Sequence, residues 1–197
     1  MLTRTSRYLL AAIQAIIGWE WIMSGGNKLF SGTFPQGLAD ALTSSFKDNP
    51  NGWYVSFLKQ VVVPNSVFFG YLIEWTEIIV GIVLVGGALL LLSKPRMPGD
   101  PQHGLNVAYC IAVAVAAAIG AFQNINFHFF MGGWVLPTFD PGSAYNEGID
   151  LDGLLPLFFL VIIIANLAMV QALSGIKLFK RTKQTRTTAP EPAASNS

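Results

Sequence analysis

Four stretches of this chain are too long and too apolar to be hidden in the core of one small water-soluble domain. They run from Tyr8 to about Gly26, from Ser66 to Leu92, from Leu105 to Gln123 and from Leu154 to Leu173. A helix that crosses a bilayer needs about 20 mostly apolar residues, and each stretch meets that length. Of the 197 residues, 52% are apolar and 12% charged, about half the charged share of an ordinary soluble domain. The expectation is an all-α membrane protein, a four-transmembrane-helix bundle, over residues 1–176. The fourth stretch has Asp152 placed to cap its start and Pro156 in its first turn, both usual there.

Charge placement orients the spans. Arg4, Arg7, Lys94, Arg96, Lys177, Lys180, Arg181, Lys183 and Arg186 fall on one side, nine of the twelve basic residues. The other side holds Lys28, Lys47 and Lys59 with Asp40, Asp48, Asp140, Glu147, Asp150 and Asp152. The positive-inside rule then puts both termini in the cytoplasm of a plasma-membrane protein. A signal peptide is the other reading of the first span, but Glu20 interrupts its apolar run and no A-x-A site follows. Residues 177–197 read as a basic, then disordered, tail with nothing to build a core.

The first outer connection, Asn27 to Asn65, is too long for a plain turn. Leu38, Leu42 and Phe46 recur at helical spacing. So do Trp53, Phe57 and Val61, and beside them Tyr54, Leu58 and Val62. Two short amphipathic helices, separated by Asp48-Asn49-Pro50-Asn51-Gly52, fit that pattern and are expected on the outer interface. They serve either as a substrate lid or as a connection without function.

Three carboxylates lie within the spans. A charge at the bilayer centre costs roughly 2.5–3.5 kcal/mol on insertion scales, so Glu20, Glu74 and Glu77 require an explanation. Opposite directions of travel bring all three to similar depth in the outer half. Gly70, Glu74, Glu77 and Gly81 fall within about a 60° arc of one helix, and glycines on that stripe let a neighbouring helix approach. Glu20 shares a stripe with Ser24 and Asn27, next to one made of Gln14, Gly18, Trp21, Gly25 and Lys28. On the third span Asn106, Cys110, Ala117, Gly120 and Asn124 align, and the chain continues into Asn126, Phe127 and His128.

The glutamates are therefore expected to face protein, with one or more of them protonated at neutral pH. That suits a proton carrier, a hydrogen-bond partner for a quinone head group, or a structural network joining helices. Lys28 is either an anion ligand or a snorkelling lysine. His128 is a proton relay, a quinone ligand or simple packing near Trp134. No metal is expected, because carboxylate-bridged bundles use paired Glu-x-x-His motifs and this chain has none. The single cysteine, Cys110, excludes a dithiol centre and reads as a small buried hydrophobe. No phosphate-binding glycine loop, nucleophile elbow or HExxH is present.

Several motifs resemble those of the DoxX/DoxD membrane proteins. Ser24-Gly25-Gly26-Asn27-Lys28-Leu29 resembles the G-x-x-K-L motif that ends their first helix. Glu77-x-x-x-Gly81 with Gly86 is similar to their second-helix motif. Asn49-Pro50 to Trp53-Tyr54, then Phe57-Leu58, Val61-Val62-Val63-Pro64 and Phe69-Gly70-Tyr71-Leu72, look like the DoxD branch. Asn126-Phe127 matches the family's Asn-Phe after the third helix.

The resemblance covers about residues 7 to 173. It implies the membrane subunit of a thiosulfate:quinone oxidoreductase, working with a DoxA-like partner subunit. Thiosulfate would approach past Lys28 toward Asn124, Asn126 and His128. The quinone, as co-substrate, would enter from lipid toward Glu20, Glu74 and Glu77, with Trp21 and Trp75 packing on its ring or serving the structure alone. The rival expectation is a non-catalytic membrane scaffold of a respiratory or redox complex. A small-solute or proton pathway is a weaker third, because four helices leave little room for alternating access.

Overall fold

The computed structural model describes residues 4–47, 49–93, 103–133 and 151–174. Among them every regular element is helical: α1 (Arg4–Ser31), α2 (Phe34–Ser45), α3 (Gly52–Phe57), α4 (Ser66–Leu92), α5 (His103–Phe130) and α6 (Leu151–Ser174). Helices α1, α4, α5 and α6 are each long and apolar enough to cross a membrane. The 28 residues of α1 exceed the length that the hydrocarbon core of a bilayer requires of a helix. The outward faces of these helices carry large apolar side chains, among them Ile16, Trp19, Ile82, Phe122 and Ile164. This is the architecture of a multi-pass membrane protein.

The helices extend beyond the apolar runs. α1 continues past Gly26 to Ser31 and α5 past Gln123 to Phe130, so Lys28, Asn124, Asn126 and His128 all stand on helices rather than in connections. Asp152 lies inside the first turn of α6, not ahead of it. Residues Gly52 to Leu92 form one nearly continuous helical path, with a π-helical turn at Leu58–Val62 and a 3-10 turn at Val63–Asn65. Pro64 explains the irregularity, since it has no N–H to give to the preceding turn.

Packing follows the glycines. A β-carbon on Gly18 would stand 2.8 Å from the Gly81 carbonyl oxygen, and one on Gly81 would stand 2.7 Å from that of Gly18. Two turns along α1, a β-carbon on Gly25 would meet Glu77 at 2.9 Å. α1 and α4 therefore touch backbone to backbone, a close approach that small residues allow in membranes. α5 packs on α6 in a similar way, with the Phe159 ring seated against Gly120. The two pairs meet along α4 and α5, whereas α1 approaches α6 at few positions. One of these is the edge-to-face pair Trp21–Phe159, with ring centroids 5.4 Å apart.

One end of the bundle, here the α2 end, is closed by a second apolar cluster. Leu38 and Leu42 of α2 pack with Tyr54, Leu58 and Val62, and Phe129 and Phe130 of α5 join them. Pro35 rests directly on Gly70, and a side chain there would collide with it. Asn49 donates from Nδ2 to the carbonyls of Phe129 and Phe130 at 2.9 and 3.0 Å, satisfying the last turn of α5. At the opposite end Arg7 donates to the carbonyls of Leu91 and Ser93, closing α4 in the same way.

The charges at Lys94, Arg96, Asp48, Asp140, Glu147, Asp150 and the basic tail, together with Trp134 and residues 177–197, lie outside the described residues. The same holds for the tail boundary at residue 177.

Candidate functional site

The stripe Gly70, Glu74, Glu77 and Gly81 is buried throughout, with Glu74 at 1% and Glu77 at 2% exposure. The geometry of α1 explains how carboxylates come to lie there. Gly25 lets α4 close on α1, and one turn on Lys28 reaches across to Glu77, with Ser24 beside its ammonium. Lys28 Nζ donates to Glu77 Oε2 at 2.7 Å and Oε1 at 3.0 Å, and to Ser24 Oγ at 2.7 Å. Both carboxylate oxygens of Glu77 and the serine oxygen lie within hydrogen-bond reach of the one ammonium. Gln123 Nε2 of α5 donates to Glu77 Oε1 at 3.0 Å. Glu77 thus ties α1, α4 and α5 together.

The ion pair has aromatic walls. Lys28 Nζ lies 5.5 Å from the ring centroid of Phe34 and 6.0 Å from that of Phe127, within cation–π range. Its side chain keeps 21% exposure against 3% for Glu77, so the pair meets water at the α2 end.

Glu20 stands two turns before Lys28 on α1 and is half-buried. It feels the charges of Glu77, Lys28 and Asp152. Its flanking neighbours Trp19 and Met23 are exposed on the lipid face. Glu20 is thus the least buried of the three glutamates. Asp152 is held by Asn124, whose Nδ2 donates to Asp152 Oδ1 at 3.0 Å. Four carboxyl groups and one ammonium make the cluster strongly acidic if all are ionised. Among the described residues no three of His, Cys, Asp and Glu converge as a metal site.

The remaining residues singled out in the sequence are dispersed. Asn126 turns toward α3, where its side-chain oxygen accepts from the Tyr54 hydroxyl at 3.0 Å. His128 sits at the end of α5, its ring against Gly133 and 6.2 Å from that of Phe129. Trp21 is buried against Phe159, while Trp75 is 52% exposed on the face of α4 turned away from Glu74 and Glu77. Three participants lie outside the set of expected site residues: Ser24, Gln123 and Asp152. Ser24 has a signal, its i, i+4 spacing between Glu20 and Lys28. Gln123 adjoins Asn124 at the end of an apolar run, whereas Asp152 reads as a cap.

No family model, no curated protein and no solved structure matches the chain.

Proposed function

We propose that this chain is the membrane subunit of a quinone-linked oxidoreductase, with the carboxylate cluster moving the protons that quinone reduction consumes. The observation that carries the reading is Glu20, a half-buried carboxyl beside the exposed Trp19 and Met23, where Glu74 and Glu77 are buried. A quinone head group needs a polar partner at the edge of the hydrocarbon, and in this reading the ring reaches Glu20 between α1 and α6, which approach each other at few positions. The resemblance to DoxX/DoxD proteins supports thiosulfate as donor and a DoxA-like partner subunit. Two thiosulfates join through a new S–S bond and release two electrons. The quinone takes those electrons with two protons.

In this account Glu20 hands a proton toward the quinone oxygen, and Glu77 resupplies it. Lys28 is held by Glu77 and Ser24, and a thiosulfate dianion that binds it competes with Glu77, which takes up a proton as it gives way. The chain would lie in the plasma membrane with both termini cytoplasmic, and α2 and α3 on the outer interface.

A specific observation favours a second reading. Glu77 joins three helices through Lys28 and Gln123, as structural glue in a non-catalytic membrane scaffold would. Purified protein in liposomes, given thiosulfate and a soluble quinone with and without a candidate partner subunit, separates the two. The enzyme reading expects quinone reduction that Glu20→Gln and Glu77→Gln abolish. No thiosulfate-dependent reduction under any of these conditions sinks it, and loss of complex assembly in Glu77→Gln then supports the scaffold.

A further inference from the structure

The short helix α3 and the π-helical turn after it have three faces of different chemistry. Residues four apart on a helix point within about 40° of one another. Tyr54, Leu58 and Val62 therefore form one stripe, Trp53, Phe57 and Val61 a second, and Ser56 and Gln60 a third. The first stripe is buried in the apolar cluster that closes this end of the bundle. The second is apolar and exposed, at 64, 43 and 40%. The third is polar and exposed, and Lys59 beside it reaches over the Phe46 ring at the end of α2, 5.1 Å from its centroid. The outward face of α2 differs. It shows Gln36, Asp40, Thr43 and Ser44, while the large apolar residues of α2 face inward or lie half-buried.

Depth sets the apolar stripe beside the spans. The Tyr54 hydroxyl donates to Asn126 Oδ1 at 3.0 Å, one turn of α5 beyond Gln123, which bonds Glu77. Leu58 and Val62 pack with Phe69 and Ile73 of α4. At that depth α4 still carries Val67, Phe68, Tyr71 and Leu72 on its outward face, each at least 47% exposed. α3 thus lies alongside the apolar belt, not beyond its end. The backbone supplies an independent argument. Within hydrocarbon every N–H and C=O is satisfied inside the protein, by π or 3-10 adjustments and side chains where a proline intervenes. Around Pro64 the Val63 N–H returns to the Leu58 carbonyl and the Ser66 N–H to that of Val63. Asn65 Nδ2 donates to the Val61 carbonyl at 2.8 Å. The helical path from Gly52 to Leu92 so runs on across the proline, whereas a turn in water can leave such groups to the solvent.

We infer that α3 and the π-helical turn are sunk in the bilayer leaflet at the α2 end, where acyl chains cover Trp53, Phe57 and Val61. The covered stripe continues the lipid-facing surface of α4 through Val67 and Phe68. Ser56 and Gln60 lie at the head groups, and Lys59 carries its ammonium out of the hydrocarbon toward the end of α2, as long basic side chains do. The buried stripe holds α3 to the bundle, and the apolar stripe anchors it by the area it gives to lipid. α2 stands on the water side of α3 and turns its polar face to solvent. This placement is independent of the reaction the chain performs.

The unsubstituted full chain tests this in liposomes whose phospholipids carry a photoreactive diazirine in the acyl chain. Illumination should label the peptide that holds Trp53, Phe57 and Val61, as it labels the outward face of α4, and should leave α2 unlabelled. Nitroxide labels in Cys110→Ala protein then read the depth of single positions. With Phe57→Cys, dissolved oxygen should relax the nitroxide more than a water-soluble nickel chelate does, as with Leu72→Cys on α4. With Thr43→Cys on α2 the order should invert. An α3 peptide left unlabelled by the lipid, or a label at position 57 that answers to nickel as the one at position 43 does, overturns the proposal. A label at position 57 shielded from both agents means that a second copy or another protein covers the stripe, and overturns it as well. Because photolabelling is read without any substitution, a variant that fails to fold leaves that result standing.

Discussion

Replacing Lys28 by Met removes a charge and keeps most of the side chain's length, so it isolates the ion pair. Glu77 would keep Gln123 as a donor but lose the ammonium that contacts both of its oxygens. Breaking a buried pair costs roughly 3–5 kcal/mol, because a charge is left without its partner. The Lys28 side chain is 21% exposed, which places the expected loss at the low end of that range, about 3 kcal/mol. Adding Glu77→Gln removes the stranded charge as well. The double variant should therefore recover about 2 kcal/mol relative to Lys28→Met alone, a coupling that a double-mutant cycle measures. Reversible unfolding by denaturing detergent in mixed micelles at neutral pH gives the free energies. If the double variant is no more stable than Lys28→Met, the charge pairing described here is wrong.

Other outcomes are expected elsewhere in the bundle. Gly18→Ala should destabilise by about 1–3 kcal/mol through overpacking, since its β-carbon meets the Gly81 carbonyl. Gly26→Ala, with Phe30 at 4.0 Å as its nearest neighbour, should be neutral or gain up to about 1 kcal/mol in helix propensity. The same micelle assay checks both. Gln14→Leu should be neutral or stabilising by about 1 kcal/mol, because it exchanges an unpartnered buried amide for an apolar side chain of similar size. Tyr54→Phe should cost about 1 kcal/mol by losing its hydrogen bond to Asn126, read as a lower midpoint of thermal unfolding.

The spans were legible because a bilayer imposes a length and a composition that few other environments require. The buried stripe of α4 was legible for a related reason, since glycine and glutamate at helical spacing are both costly on a lipid-facing surface. Helix ends were not. Nothing in Asn27-Lys28 or Asn124-Ile125-Asn126 says whether the chain has left the helix, because polar residues at that depth suit a loop as well as a last turn. The partners of Glu77 were legible only in part. Phase on one helix shows which way a side chain points, but not which residue of another helix stands opposite. That register comes from Gly18, Gly25 and Gly81, which fix α1 against α4, and from the placement of Gln123 on α5. Asp152 shows the limit most plainly. Its position near a helix start suits a cap, and only the packing of α6 on α5 brings it to Asn124.

The central claim, that the carboxylate cluster serves a quinone through the α1–α6 seam, is tested most directly by labelling with a photoreactive quinone analogue in liposomes. The account predicts saturable labelling of α1 between Trp19 and Met23 and of the first two turns of α6. Excess quinone should prevent it, and Glu20→Gln should weaken it. Labelling confined to the Trp75 face of α4, or none that quinone displaces, would contradict the account.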